Sequence, residues 1–317
     1  MIEENFTNVN EKIDIKDKTR NFRVHKSQAE KIQQIISGFY DTSNKLYSRG
    51  EQVLNCGHYL SFRTYENDER TTKLDYANFC KHRLCPFCAW RWHLKYSNIL
   101  EKTFEILGEH DYYHLVLTIP NVKHITKDFI VDLRQKATKF LKKYLKISDY
   151  FLSFEITIDN EGSFHPHYHV AFIKKADLPT KREMQKKWAE FSNCGTNYAI
   201  CHVEKTKDKK VSLELTKYLL KFENEKLNER NLFTIFRATR GIRKFSTSGI
   251  IKEAETKAKK QIDLENFNTM QTLQNYPSIV EFYEWFGSCY ELVETHKDEK
   301  KNIKSQIRNL KKIIVAE

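Results

Sequence analysis

His165, His167 and His169 occupy alternate positions in the run His165-Pro166-His167-Tyr168-His169. A β-strand sends alternate side chains to one face, so a strand here presents all three imidazoles together. Val170, Ala171, Phe172 and Ile173 follow at once, and this aliphatic and aromatic run favours the strand. Neutral imidazole nitrogen is a common ligand of divalent cations, so the cluster points to a metal or a phosphate. One histidine on an apolar strand would read as a packed core residue. The repeat at period two is what suggests chemistry.

The preceding segment, Phe151 to Ile158, alternates as a strand, and Asp159-Asn160-Glu161-Gly162 turns it back on itself. Folding that hairpin carries Glu155 across from residues 167 to 169, within one register step. Glu155, His167 and His169 then form an oxygen-and-nitrogen set suited to Mg²⁺ or Mn²⁺ better than to zinc. The plainer reading of Glu155 alone is a surface carboxylate on a solvated sheet face.

Cysteines supply a second cluster. Cys80, Cys85 and Cys88 fall in Phe79-Cys80-Lys81-His82-Arg83-Leu84-Cys85-Pro86-Phe87-Cys88. In a reducing compartment such spacing indicates structural zinc, with Cys-Pro-Phe-Cys as a knuckle holding two thiolates near one ion. A closed tetrahedral site needs a fourth ligand. Cys56 is the first candidate, since Gly57 permits a tight turn after it, and His58 and His82 are rivals. Cys194, Cys201 and Cys289 are scattered and read as packing residues.

Several elements must hold these groups. Ser27-x-x-Glu30 reads as a capping box opening an amphipathic helix with Ile32, Ile35, Ile36 and Phe39 on one face. Tyr112 to Ile119 reads as a buried strand stopped by Pro120. Leu133, Ala137, Phe140, Leu141 and Tyr144 mark a helix, and Thr180-x-x-Glu183 caps another bearing Met184, Trp188 and Phe191. A strand is expected at Tyr198 to Val203, then a helix from about Ser212 on which Glu214 and Tyr218 lie four apart, with Lys217 and Lys221 beside the tyrosine. After Gly249 the chain reads as polar and helical, with Phe282, Tyr283, Trp285 and Phe286 its one strong apolar cluster. Lys297 to Lys312 reads as a basic solvated helix or a disordered tail.

Composition narrows the classes. The 317 residues, 40 % of them apolar, suffice for one large domain or two small ones. Fifty-four Lys and Arg against 42 Asp and Glu leave a formal charge of +12, which favours a polyanionic partner. No run of 18 apolar residues predicts a membrane span, and the acidic start Met1-Ile2-Glu3-Glu4 is unlike a secretory signal, so a cytoplasmic location is expected.

Three stretches in order resemble a known family: Leu115-Val116-Leu117-Thr118-Ile119-Pro120-Asn121, His165-Pro166-His167-Tyr168-His169-Val170, and Glu214-x-x-x-Tyr218. They are similar to the motifs of single-tyrosine rolling-circle replication initiators (Rep proteins) of small bacterial plasmids, within the HUH (His-hydrophobe-His) endonuclease superfamily. The segment Cys80 to Arg91 also resembles that family's N-terminal part, and the likeness runs over about residues 45 to 250.

This resemblance implies an α+β fold: a five-stranded antiparallel sheet flanked by helices, an N-terminal zinc-binding segment and a helical C-terminal extension. The implied division is 1–50 (helical), 51–105 (zinc-binding), 106–250 (nicking-joining endonuclease) and 251–317 (extension). It implies Tyr218 as the nucleophile on plasmid origin DNA, forming a 5′-phosphotyrosine link. His167, His169 and Glu155 would hold Mg²⁺ or Mn²⁺, and Cys56, Cys80, Cys85 and Cys88 would hold Zn²⁺. Lys217, Lys221 and His165 would serve phosphate or DNA contacts. Two-tyrosine relatives carry a second tyrosine where this chain has Glu214, which implies a carboxylate that activates water for a terminating hydrolysis. A host helicase and polymerase are the implied partners. Competing readings are an HUH relaxase or single-strand transposase, a non-catalytic zinc-dependent DNA-binding protein, and a zinc hydrolase, although the helical His-Glu-x-x-His pattern is missing.

Overall fold

A computed structural model describes residues 17–40, 44–82, 84–175, 177–195, 200–206 and 228–298. Two helices, α1 (Arg20–Ser37) and α2 (Asn44–Leu54), precede a hairpin of β1 (Tyr59–Tyr65) and β2 (Thr72–Ala77). The long helix α3 (Pro86–Leu107) leads to β3 (Tyr112–Thr118), then α4 (Lys127–Lys139), which ends in a π-helical turn over Phe140–Tyr144. Next come β4 (Tyr150–Ile158), β5 (Phe164–Ile173), α5 (Lys181–Ser192) and β6 (Ile200–Lys205). The described chain resumes with α6 (Glu229–Thr239), β7 (Phe245–Ser248), α7 (Gly249–Leu273) and the hairpin β8 (Ser278–Trp285) and β9 (Tyr290–Asp298).

The strands form two antiparallel sheets, a five-stranded one ordered β6-β3-β5-β4-β7 and a four-stranded one ordered β2-β1-β8-β9. The α+β class therefore stands, with a second sheet that the sequence reading did not anticipate.

Strand alternation gives the larger sheet two unlike faces. Leu115 and Leu117 of β3, Leu152 and Phe154 of β4, and Tyr168, Val170 and Phe172 of β5 are buried on one face. They share a core with Leu133 and Ala137 of α4, Met184 and Trp188 of α5, and Leu232 and Ile235 of α6. The capping box expected at Thr180 is present, with Glu183 N–H donating to Thr180 Oγ1 and Glu183 Oε2 accepting from Thr180 N–H. The opposite face is split. One end of its strands is covered by Tyr96, Ile99, Leu100 and Phe104 of α3 and Ile251 of α7, packed on Tyr112, Phe151, Ala171 and Ile173. Its remainder carries Glu155 and the histidines.

Two expectations need correction. Helix α1 begins at Arg20, so Ser27 and Glu30 lie inside it and form no capping box. Glu30 instead accepts a 2.6 Å hydrogen bond from Trp285 Nε1–H. The aromatic cluster at Phe282 to Trp285 is not helical: Ser278–Trp285 is a strand, paired along its length with β1. Ile279-Val280-Glu281-Phe282-Tyr283 combines β-branched and aromatic residues with alternation, which favours a strand. Lys297 lies in β9, and residues 299–317 lie outside the described residues. No helix among the described residues is long and apolar enough to cross a membrane.

Candidate metal centres

The β4–β5 hairpin sets the first centre. Asp159 Oδ1 accepts from the backbone N–H groups of Glu161 (2.9 Å) and Ser163 (2.8 Å), an Asx-type turn, and Gly162 supplies the positive φ of 80° that the turn requires. The resulting register places Glu155 directly opposite His167 and Ser153 opposite His169. Across β5, Thr118 pairs with His167 and Val116 with His169. Each imidazole thus sits in the middle of a three-strand row.

Both imidazoles converge on one carboxylate oxygen. His167 Nε2 lies 2.5 Å from Glu155 Oε2, and His169 Nε2 lies 3.1 Å from the same atom. All three side chains are buried, and their ligand atoms lie within 4.8 Å of one another. His167 Nδ1–H donates to the His165 carbonyl oxygen at 3.2 Å, which leaves Nε2 as the nitrogen aimed inward. Burial works to raise the Glu155 pKa, but the close contacts with His167 and His169 override it and hold the group down at about 2. Burial lowers His169 to about 4, which keeps it neutral and able to ligate.

Three buried oxygens around these residues have no hydrogen-bond partner among the described residues: Glu155 Oε1, Ser153 Oγ and Thr118 Oγ1. They occupy the same two rows as His167 and His169. Buried polar atoms are seldom left without partners, so these oxygens mark a place built for something further. A divalent cation with bound waters fits that donor set: two nitrogens, one carboxylate and nearby hydroxyls.

His165 shares this face, with its ring 5.3 Å from that of His167, and it acts on the site through its carbonyl. Tyr218, Glu214, Lys217 and Lys221 lie outside the described residues. A residue the sequence reading overlooked is His114 on β3, whose Nε2 lies 3.3 Å from His169 Nδ1.

The second centre joins Cys56, Cys80, Cys85 and Cys88. Cys56 Sγ lies 3.4 Å from Cys88 Sγ and 3.7 Å from Cys85 Sγ, and the Cys80 and Cys88 sulfurs are 3.6 Å apart. Tetrahedral Zn²⁺ with Zn–S bonds of about 2.3 Å separates its sulfurs by about 3.8 Å, so the spacing fits a closed thiolate site. Four donors point at the sulfurs, each at 3.3 Å: Cys80 N–H to Cys56, Lys81 N–H to Cys88, His82 N–H to Cys80, and Gln33 Nε2–H to Cys85. Gly57 is required here, because a Cβ at its φ of 72° would sit 2.5 Å from the Phe87 ring.

The rival ligands are engaged elsewhere. His58 Nε2 faces Glu284 Oε1 at 3.2 Å, and His82 Nδ1 accepts from Leu84 N–H while its ring packs 5.3 Å from Phe236.

The chain is thus a basic α+β protein with two side-chain groups able to hold a metal ion, a nitrogen-oxygen set on its main sheet and a four-thiol set beside the β1–β2 hairpin. A family model described as "Replication protein" matches residues 71–290, well over half of the chain, and the chain belongs to that family, the Rep-type initiators of plasmid replication. The match includes the histidine set and Tyr218. Among curated relatives, "Protein rep" of Lactiplantibacillus plantarum is 29 % identical over 281 residues, covering 79 % of this chain and 87 % of that protein. "Protein rep" of Lentilactobacillus hilgardii is 27 % identical over 69 % of this chain and 77 % of its own. "Protein rep" of a Bacillus species is 36 % identical over a shorter stretch, 38 % of this chain and 42 % of its own. No solved structure matches the chain.

Proposed function

We propose that this initiator nicks one strand of plasmid origin DNA, using Tyr218 as nucleophile and a Mg²⁺ or Mn²⁺ ion held by Glu155, His167 and His169. The observation that carries this reading is the convergence of two imidazole nitrogens on Glu155 Oε2, beside buried oxygens lacking partners among the described residues, in a member of a replication-protein family. The ion, when bound, would polarise the scissile phosphate and absorb charge in the transition state. The protein's own groups do the rest. Glu155, kept ionised, and the neutral Nε2 of His169 supply the ligand electrons, and the His165 carbonyl fixes the His167 ring.

A tyrosine hydroxyl has an unperturbed pKa of about 10, so its attack on a phosphodiester at neutral pH needs such help. Tyr218 Oη loses its proton and bonds to phosphorus, the bond from phosphorus to the 3′ oxygen breaks, and that oxygen takes up a proton. The freed 3′ hydroxyl then primes synthesis while the 5′ end stays on the tyrosine. At termination Glu214 acts as general base on water in a second cleavage, which limits each initiator to one round. The four cysteines hold Zn²⁺ as a structural site.

Lys217, Lys221 and His165 contact phosphate, and Trp90 to Lys95, Lys205 to Lys210 and Arg237 to Lys244 supply further backbone contacts. A host helicase and polymerase continue the synthesis.

A supercoiled plasmid carrying the cognate origin tests the reading. Nicking is expected with Mn²⁺, to be lost on chelation and in Glu155→Ala, His167→Ala and Tyr218→Phe. Origin binding without nicking under any metal would instead mark a non-catalytic DNA-binding protein.

A further inference from the structure

His169 is held from both sides. Its Nε2 faces Glu155, while its Nδ1 lies 3.3 Å from His114 Nε2. The two rings are within 7° of parallel, with centroids 5.4 Å apart. Set against a 3.3 Å nitrogen-to-nitrogen contact, that separation is what two imidazoles give when they meet edge to edge in one plane. The contact is an in-plane N–H···N hydrogen bond. On its far side, His114 Nδ1 lies 3.6 Å from Glu204 Oε1 on β6, and the register pairs these two residues directly.

We propose that His114 and Glu204 are positioning residues for the cation site, forming a line from the Glu204 carboxylate through His114 and His169 to the ion. This rests on the proposed metal binding by Glu155, His167 and His169. Tautomers fix the logic. His169 ligates through Nε2 only if Nδ1 keeps its proton, and that proton needs an acceptor. His114 Nε2 accepts when His114 carries its own proton on Nδ1, the nitrogen facing Glu204. The carboxylate therefore selects the His114 tautomer, and His114 selects that of His169 and raises its basicity.

Burial makes the arrangement demanding. His114 is 6 % exposed and His169 4 %, so their contact is shut off from solvent. Glu204 sits at the rim, its side chain 57 % exposed, and its part is accordingly smaller.

The test is Mn²⁺ binding, followed by the loss of the free-ion electron paramagnetic resonance signal on titration of the zinc-loaded protein. His114→Phe keeps the ring volume and removes the acceptor, so the Mn²⁺ Kd is expected to weaken by about 10–100-fold. His114→Gln restores an acceptor oxygen and is expected to recover most of that loss. Glu204→Gln is expected to weaken binding by about two- to fivefold. Thermal unfolding of the zinc-loaded protein with no Mn²⁺ added separates positioning from folding. Equal melting of wild type and His114→Phe, together with weaker Mn²⁺ binding, supports the line.

Unchanged Mn²⁺ affinity in His114→Phe, with affinity abolished in Glu155→Ala, overturns the positioning role and leaves the metal site standing. Mn²⁺ binding that Glu155→Ala leaves untouched overturns both. If His114→Phe melts early without Mn²⁺, Glu204→Gln decides: wild-type Mn²⁺ affinity in that variant overturns the line, and about two- to fivefold weakening supports it.

Discussion

The thiol centre and the histidine centre are built on opposite plans. At the first, four sulfurs close on one another, each receives a hydrogen bond, and Gly57 lets the Phe87 ring close over the turn. Lys26, almost wholly buried, donates to the Cys56 carbonyl and Gln33 Oε1, placing a positive charge beside the thiolates. Nothing is left over. At the second, three candidate ligands meet among the described residues, and buried oxygens beside them have no partner there. Structural zinc sites are coordinatively closed and reactive metal sites keep positions open. The four-thiol set fits the closed plan and the histidine set the open one, and α3 connects them: Cys88 lies in its first turn, and Trp92, one turn on, packs 5.1 Å from Phe245 of β7. Phe245 pairs with Ser153 in the His169 row.

The sharpest way to break this contrast is to remove one ligand from each centre. Cys56→Ser is expected to abolish zinc binding and unfold the region around β1 and α3, because structural thiolate sites couple ion binding to folding at roughly 10 kcal/mol or more. Zinc content and thermal melting report it. Glu155→Ala is expected to leave zinc content intact and lower melting by several degrees while the fold persists, and to end Mn²⁺ binding. A Cys56→Ser protein that melts like wild type would erase the distinction.

Acidification comes next in size. His169 falls from 6.5 to about 4 in the fold, chiefly through burial, so the folded chain binds that proton more weakly than the unfolded chain. Its protonation therefore favours unfolding, and stability drops as pH falls from about 6.5 to 4. Glu155, lowered from 4.5 to about 2 against the opposing pull of burial, contributes stability that is full above pH 4.5 and lost toward 2. Zinc-loaded protein without Mn²⁺ should lose stability progressively below pH 6.5, and Glu155→Gln should flatten the segment below 4.5. An unchanged low-pH slope in that variant would contradict the Glu155–histidine coupling.

The smallest effect belongs to the joining helix. Trp92 is 38 % exposed, yet its ring lies 5.2 Å from Tyr96 at 6°, a supported flat face near the histidine rows. Trp92→Ala is expected to weaken single-stranded DNA binding by about tenfold, as loss of one base stack does, with the salt dependence unchanged. Unaltered DNA binding in Trp92→Ala, with lowered melting, would assign the residue to packing.

Much of this was legible because it is local. Alternate histidines, the Asp159 to Gly162 turn and the Glu155 register all lie within one hairpin, where period and turn chemistry decide placement. The thiol spacing was equally readable, and Cys56 emerged over His58 and His82 once their other partners were visible. What escaped is non-local. His114, a lone histidine on an apolar strand, reads as core until the β3–β5 register sets it against His169. Ser27-x-x-Glu30 has the letters of a capping box, but α1 starts a turn and more earlier and Glu30 serves Trp285, some 250 residues on. The same long reach makes β8 the partner of β1, a pairing no window of sequence contains.

The most direct test of the central claim is the site of covalent attachment. An origin oligonucleotide labelled on the 3′ side of the nick, incubated with protein and Mn²⁺, is digested with protease and the adduct peptide sequenced by mass spectrometry. The account predicts label on Tyr218, absent after chelation and absent in Glu155→Ala. Label on another residue, or undiminished label in Tyr218→Phe, would contradict it.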